Sequence, residues 1–164
     1  MTLTTIRFAV IALAISLVSA CGFAPRGSYM LDDKLTQIYV SSSDEFSPLV
    51  RELKRQLAQN NVAVFEFPES GIPTLHLRGE DISKRTLSLF ENGQVAEYEL
   101  SYQVGGYLQV ADQGNFPINV QLHRDFQDNP LAALAKQRER ELLYSELRVM
   151  AADQIMRQLA TVSW

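Results

Sequence analysis

The stretch Asn92-GQVAEYELSYQVGGYLQ-Val110 decides the fold class of this chain. Its apolar or aromatic positions are Ala96, Tyr98, Leu100, Tyr102, Val104, Leu108 and Val110. Up to Val104 they alternate with polar residues, and a period of two is typical of a strand with one face on a core. Asn92-Gly93 predicts a tight hairpin turn in which both residues adopt positive φ. Gly105-Gly106 interrupts the pattern and predicts a bulge or bend.

Similar alternation lies on both sides of this strand. The positions are Leu75, Leu77, Leu87 and Leu89 before it, and Phe116, Ile118, Val120 and Leu122 after it. The earlier run is broken around Gly79–Lys84, and a second turn falls at Asp112–Asn115. These patterns predict an antiparallel meander with one apolar face. Leu35–Ser41 and Val62–Phe65 are short strand candidates outside it.

Two segments have the pattern of amphipathic helices. Ser47-Pro48 and Asp128-Asn129-Pro130 each join a capping side chain to a proline that suits the first helical turn. The first helix should end at Asn60-Asn61, and the second should reach about Leu159. Their stripes are Leu49, Val50, Leu53 and Leu57, then Leu143, Leu147, Ala151, Ile155 and Leu159. With one apolar sheet face, they predict an α+β fold of two layers, with both helices on the same side.

The N-terminal region has the features of an export signal. The chain's one cysteine, Cys21, follows a short apolar run, Phe8–Val18, and the small residues Ser19-Ala20. The run is shorter than the ~20 residues that a membrane-spanning helix needs. The residues before Cys21 resemble the bacterial lipobox, which implies cleavage before Cys21, an S-diacylglycerol on its sulfur and an N-acyl group. A secreted protein with an unrelated cysteine is the alternative.

Three regions follow from this interpretation. We predict a lipoprotein signal peptide over residues 1–20, a lipidated tether over residues 21–34, and a single α+β domain over residues 35–164. Gly22, where inner-membrane lipoproteins usually have Asp, favours the outer membrane. Apart from the covalent lipid on Cys21, no cofactor or metal is expected.

Composition and motifs argue against several functions. The net charge is −4, and an acidic domain lacks the basic surface that nucleic-acid binding requires. His76 and His123 lie far apart in sequence, in strand patterns where solvent-facing side chains are expected. No pair of acids, nucleophile elbow or phosphate loop is recognisable. The protein is therefore predicted not to be an enzyme.

Two basic clusters are candidates for binding anions. Lys84-Arg85 lies in the broken part of the meander, and Lys136, Arg138 and Arg140 lie early in the second helix. A solvated, exposed helix face is the alternative for the second cluster, because Glu139 and Glu141 interleave with the cations.

Three runs together resemble one family. They are Cys21-GFAPR-Gly27, Phe90-ENGQVAE-Tyr98 and Asp128-NPLAALA-Lys136, and their order and spacing are similar to those of the LptE family of lipopolysaccharide-assembly lipoproteins. The resemblance implies two helices on one face of a mostly antiparallel four-stranded sheet. It also implies that the domain plugs the lumen of the outer-membrane barrel LptD, helps that barrel assemble, and binds lipopolysaccharide during its transport to the outer leaflet.

The resemblance also indicates site residues. Lys136 matches a basic position of the family motif, and Lys84 and Arg85 are further candidates for binding lipopolysaccharide. Where many members have a basic residue before Asn-Gly, this chain has Glu91, so the hairpin tip is a weaker phosphate site. The location implied is the periplasmic side of the outer membrane, with a lipid anchor and the domain inside the barrel. A generic envelope adaptor and a periplasmic hydrolase are the alternatives.

Overall fold

The computed structural model describes residues 35–164, together with Arg7 and Leu31. Cys21 and the other residues of the predicted signal and tether lie outside the described residues. In chain order the elements are β1 (Gln37–Ser42), α1 (Pro48–Gln59), β2 (Ala63–Phe65), β3 (Thr74–Leu77), β4 (Asp81–Leu89), β5 (Val95–Val110), β6 (Gly114–Gln127), a 3-10 turn (Pro130–Ala132) and α2 (Ala133–Thr161).

The long strand β5 holds the sheet together. It pairs antiparallel with β6 along most of its length. On its other side it pairs antiparallel with β4 through its first half and with β3 through its second half. β3 also pairs with β1, and β1 pairs with β2. Both of these pairings are parallel. The α+β class is confirmed, but the sheet of the described residues has six strands rather than four, and two of its pairings are parallel.

Both helices contribute to one core on one side of the sheet. The Ser47 hydroxyl accepts a hydrogen bond from the Val50 N–H at 3.2 Å, which caps α1 as predicted. At the start of the 3-10 turn before α2, the Asn129 side chain accepts from the Leu131 N–H at 3.0 Å. The apolar helix residues that are fully or almost fully buried are Leu49, Val50, Leu53, Leu57, Leu147, Ala151, Ala152, Ile155, Met156 and Leu159. The two predicted stripes are therefore the faces that pack, with Leu143 only partly buried.

The predicted bulge at Gly105-Gly106 is wrong. The register between β5 and β6 continues through both glycines without a shift. The irregularity lies opposite, in the link of residues 78–80 between β3 and β4, so the predicted break was too long and Lys84-Arg85 lies inside β4. Gly106 instead permits close approach, because a Cβ there would lie 2.0 Å from the His76 carbonyl oxygen.

The apolar face predicted for β4 is also wrong. Leu87 and Leu89 are 43% and 59% exposed. Leu89 pairs with Val95, which is on the face of β5 opposite to the core residues Leu100 and Tyr102, and neither helix contacts β4. The register with β5 also shifts between Thr86 and Leu89, which disturbs the alternation of faces.

The hairpin turn is present but is not of the predicted type. Only Gly93 of the pair has a positive φ, at 78°. The Gly93 N–H donates to the Phe90 carbonyl at 2.9 Å, and the Phe90 N–H donates to the Gln94 carbonyl at 2.8 Å. This pattern is typical of a three-residue loop that closes with glycine in the left-handed conformation.

Candidate functional site

Two aromatic residues lie side by side at the end of the sheet nearest the β4–β5 hairpin. Tyr98 of β5 and Phe126 of β6 are cross-strand partners, on the same face as the core residues of β5. The Lys84 ammonium lies 4.8 Å from the centre of the Tyr98 ring, and the Lys136 ammonium lies 5.3 Å from the centre of the Phe126 ring. The Arg140 guanidinium is 6.0 Å from the same Phe126 ring. We call these five residues the cation–aromatic site.

The geometry of α2 explains why two cations reach Phe126. Arg140 and Lys136 lie about two and three turns before Leu147, close to the line of the stripe that packs on the sheet. Toward the start of α2, the face that packs on the sheet therefore changes from apolar residues to cations, and these cations lie over Phe126. The Lys136 side chain is 22% exposed, so this position is partly buried and does not belong to the solvated helix face that was the alternative for the cluster.

Local charges leave the site with positive character. Lys136 donates to the Glu139 carboxylate at 2.8 Å, a pair within one turn of the helix. No carboxylate of the described residues forms an ion pair with Lys84 or Arg140. Cations held on aromatic faces keep their outer hydrogens available, so the arrangement can bind the oxygens of an anionic group.

The structure separates Arg85 from the other predicted site residues. Its neighbour Lys84 faces the helices, whereas Arg85 faces the opposite side of the sheet and pairs with Glu99 at 3.0 Å. Glu99 also lies 3.7 Å from the His123 ring nitrogen Nδ1. The sheet and α2 therefore bring Lys84 and Lys136 to one site, and Arg85 is not part of it.

A second ionic contact was missed by sequence reasoning. Arg148 of α2 donates from Nε to the Glu80 carboxylate at 2.7 Å, and both side chains are largely buried. The pair ties the irregular link before β4 to the long helix. Burial, followed by the negative charge of Glu80, raises the pKa of the nearby Tyr102 hydroxyl well above its usual value. The predicted break around Gly79–Lys84 includes Glu80, but nothing in the sequence pattern indicated its partner Arg148.

Two open cavities lie next to β6. The first, of about 590 Å³, is polar and includes Arg78, Gln103, Asn119, Gln121 and Gln154 in its lining. The second, of about 440 Å³, is lined by Arg124, Ser145, Glu146, Val149 and Met150.

The described residues contain neither a cluster of metal ligands nor a helix suited to crossing a membrane. No group of three or more His, Cys, Asp or Glu side chains comes close enough to hold a metal ion within this part of the chain. None of the helices found there combines the length and apolarity that a membrane span requires.

Comparisons with known proteins agree on one family. The model of the family LptE, described as lipopolysaccharide-assembly, matches residues 35–159. The LPS-assembly lipoproteins LptE of Yersinia pestis (strain Pestoides F) and Yersinia pseudotuberculosis (strain IP 31758) are each 39% identical over 153 residues. Each alignment covers 93% of this chain and 74% of the relative.

Solved structures give the same answer for the fold. The rare lipoprotein B from Shewanella oneidensis has a TM-score of 0.71 and 38% identity, covering 76% of this chain and 94% of that one. A lipoprotein B from Nitrosomonas europaea has a TM-score of 0.68 and 27% identity, covering 85% and 90%. A family model that spans nearly all of the described region, together with relatives at this identity, is decisive: the chain belongs to the LptE lipopolysaccharide-assembly family.

Proposed function

We propose that this chain is a lipid-anchored protein of the outer membrane that binds lipopolysaccharide at the cation–aromatic site during its transport to the outer leaflet. The observation that carries the proposal is the pairing of Lys84 and Lys136 over the adjacent rings of Tyr98 and Phe126. Family membership supports it, because the matched relatives are named for lipopolysaccharide assembly.

The chemistry of the ligand suits this site. Lipid A presents phosphate groups, and ammonium groups bind phosphate oxygens through charge-assisted hydrogen bonds. The Lys136 ammonium lies over the Phe126 ring and its side chain is only partly exposed, so it loses less conformational freedom on binding than a fully solvated lysine does. Arg140 lies beside the same ring and adds a further positive charge.

The protein partner that we propose is the barrel LptD, with the described domain as the plug of its lumen. Wide outer-membrane barrels enclose a polar interior that other elements fill. An anchor of S-diacylglycerol and N-acyl chains on Cys21 would hold the domain on the periplasmic side of the membrane where such a barrel opens. The resemblance to the LptE family and the match to its model support this partner.

Reversing the charge of Lys136 is expected to weaken lipopolysaccharide binding by about three- to tenfold. The change removes one cation from the site and places an acid beside Glu139. A single partly exposed charge contributes modestly and is screened by salt, so the loss should shrink at high ionic strength. The measurement is binding of lipopolysaccharide to the purified full chain and to Lys136→Asp at two salt concentrations, with melting temperatures compared.

Two variants of adjacent residues provide the matched comparison. Lys84→Asp should weaken binding to a similar extent, because Lys84 lies over the neighbouring ring. If Arg85 also binds lipopolysaccharide, as predicted from the sequence, the ligand must make a separate contact on the other face of the sheet. Arg85→Asp tests that contact independently. Equal binding by wild type, Lys136→Asp and Lys84→Asp, with unchanged melting temperatures, would contradict the proposed site.

Purification of the tagged chain from detergent-solubilised outer membrane is expected to recover LptD in nearly equal amount. A plug that fills a lumen is held by contacts on many sides, so the complex should survive washing in high salt. Quantitative gel densitometry gives the ratio of the two chains. A generic envelope adaptor would instead recover no barrel, or would recover far less LptD than tagged chain.

A further inference from the structure

The strand β6 lies at an edge of the sheet. Its strand partner among the described residues is β5 alone. At Asn119 the other side of β6 is closed by a helix side chain: the Asn119 N–H donates to Gln158 Oε1 at 3.1 Å, and Gln158 Nε2 donates to the Asn119 carbonyl at 2.7 Å. One carboxamide of α2 thus takes the place of a neighbouring strand at this position.

Beyond Asn119 none of the described residues hydrogen-bonds to the backbone at this edge of β6, which we call the open edge. In an antiparallel pair, successive residues turn both backbone groups alternately toward the partner and away from it. Because the backbone groups of Asn119 point away from β5, those of Gln121, His123 and Asp125 do so too. Pro117 has the same parity and lacks an N–H, so the edge offers its free donors from Gln121 onward.

The open edge runs beside a groove against α2. The cavity of about 440 Å³ lies here, between Arg124 of β6 and the exposed side chains of Val149 and Met150. The Arg124 guanidinium contacts the Met150 sulfur at 3.9 Å and forms no ion pair with a carboxylate of the described residues. The polar cavity lined by Gln121 and Gln154 adjoins the other end of the open edge.

We propose that an extended segment of a protein partner adds to β6 as a further strand, along Gln121–Asp125. The unpaired backbone groups require a polypeptide, because acyl chains cannot satisfy hydrogen-bond donors and acceptors. Side chains of an added strand alternate between faces, so every second one points to the helix side. There the groove fits an aliphatic residue against Val149 and Met150 and, two positions along, an acidic residue paired with Arg124.

This inference concerns a surface other than the cation–aromatic site, so it is tested independently of lipopolysaccharide binding. The probe is the blocked peptide acetyl-TVTLTDT-amide, whose valine, leucine and aspartate share one face. The control is the same peptide with methyl groups on its two central threonine nitrogens, which removes the donors directed at β6. Binding to the purified full chain in detergent is measured together with hydrogen exchange of the backbone amides.

The peptide is expected to slow exchange at Gln121 and His123 by about tenfold or more, and the methylated peptide should have no effect. His123→Pro should weaken peptide binding about tenfold, because it removes an N–H that points away from β5. His123→Thr, which loses the ring but keeps the N–H, should bind like wild type. Gln121→Pro removes the neighbouring outward N–H and serves as a second variant if His123→Pro lowers the melting temperature.

Three results of the peptide experiments would overturn the inference. They are unchanged exchange along β6 at saturating peptide, equal binding of both peptides, and full binding by both proline variants. Protection of Gln121 and His123 that rises with chain concentration in the absence of peptide would also overturn it, since the occupant would then be a second copy of this chain.

Discussion

Gly106→Ala is expected to destabilise the domain by at least about 2 kcal/mol. The added Cβ would lie 2.0 Å from the His76 carbonyl oxygen and 3.2 Å from the Leu77 Cα. These are backbone atoms of β3, so the clash can be relieved only by moving β3 away from β5. That movement would disturb both the hydrogen bonds between these strands and the packing of Leu75 and Leu108, which are fully buried.

The adjacent glycine is the matched control. A Cβ on Gly105 would meet the end of the flexible Arg78 side chain at 2.8 Å and the Asn119 side-chain oxygen at 3.3 Å. Because the Arg78 side chain can move aside, Gly105→Ala should stay within about 0.5 kcal/mol of wild type. Urea denaturation followed by circular dichroism measures both free energies of unfolding. Equal stabilities for the two alanine variants would contradict this expectation, because they would show that β3 can move away from β5 at little cost in free energy.

In cells that make the protein in excess over LptD, Cys21→Ser is expected to move this excess from the membrane fraction to the soluble fraction of the periplasm, with the fold unchanged. Serine offers no thiol for the diacylglyceryl group, so the variant needs a plain secretory signal in place of residues 1–20. Each buried methylene contributes about 0.8 kcal/mol to membrane binding, and one acyl chain alone binds only marginally. Loss of all three chains therefore removes the attachment. Fractionation and circular dichroism of the soluble variant check the result.

Wild type provides the control for the anchor. Its intact mass should correspond to a chain that begins at Cys21 and has a diacylglyceryl and an acyl group. An uncut chain of unmodified mass would contradict the proposed anchor. So would a Cys21→Ser variant that, in excess over LptD, sediments with membranes as fully as wild type.

The local signals of the sequence predicted most of the fold. The caps at Ser47 and Asn129, and the period of two in β5, depend on neighbours in the chain, and all three correspond to the structure. The position of the bulge and the exposure of Leu87 and Leu89 depend instead on contacts between different elements of the fold. Whether a strand is covered depends on where the helices end over the sheet, and no local pattern contains that information.

The candidate site shows the same division. The basic residues Lys84, Arg85 and Lys136 were recognisable in the sequence, but their grouping was not. Lys84 and Arg85 are neighbours that face opposite sides of a strand, a consequence of the pleat. The nearness of Lys84 to Lys136 depends on the register that sets Tyr98 beside Phe126, between two strands joined by a distant turn.

The central position of β5 also determines how the entropy of loop closure is distributed. β4, β5 and β6 follow one another in the chain and are joined by tight turns, so pairing them closes only short loops at small cost. The parallel pairing of β1 with β3 instead encloses α1 and β2, and β3 pairs with β5 only around the whole of β4. The meander of β4, β5 and β6 is therefore the part of this topology with low contact order, and the β1 end is the part whose contacts are distant in sequence.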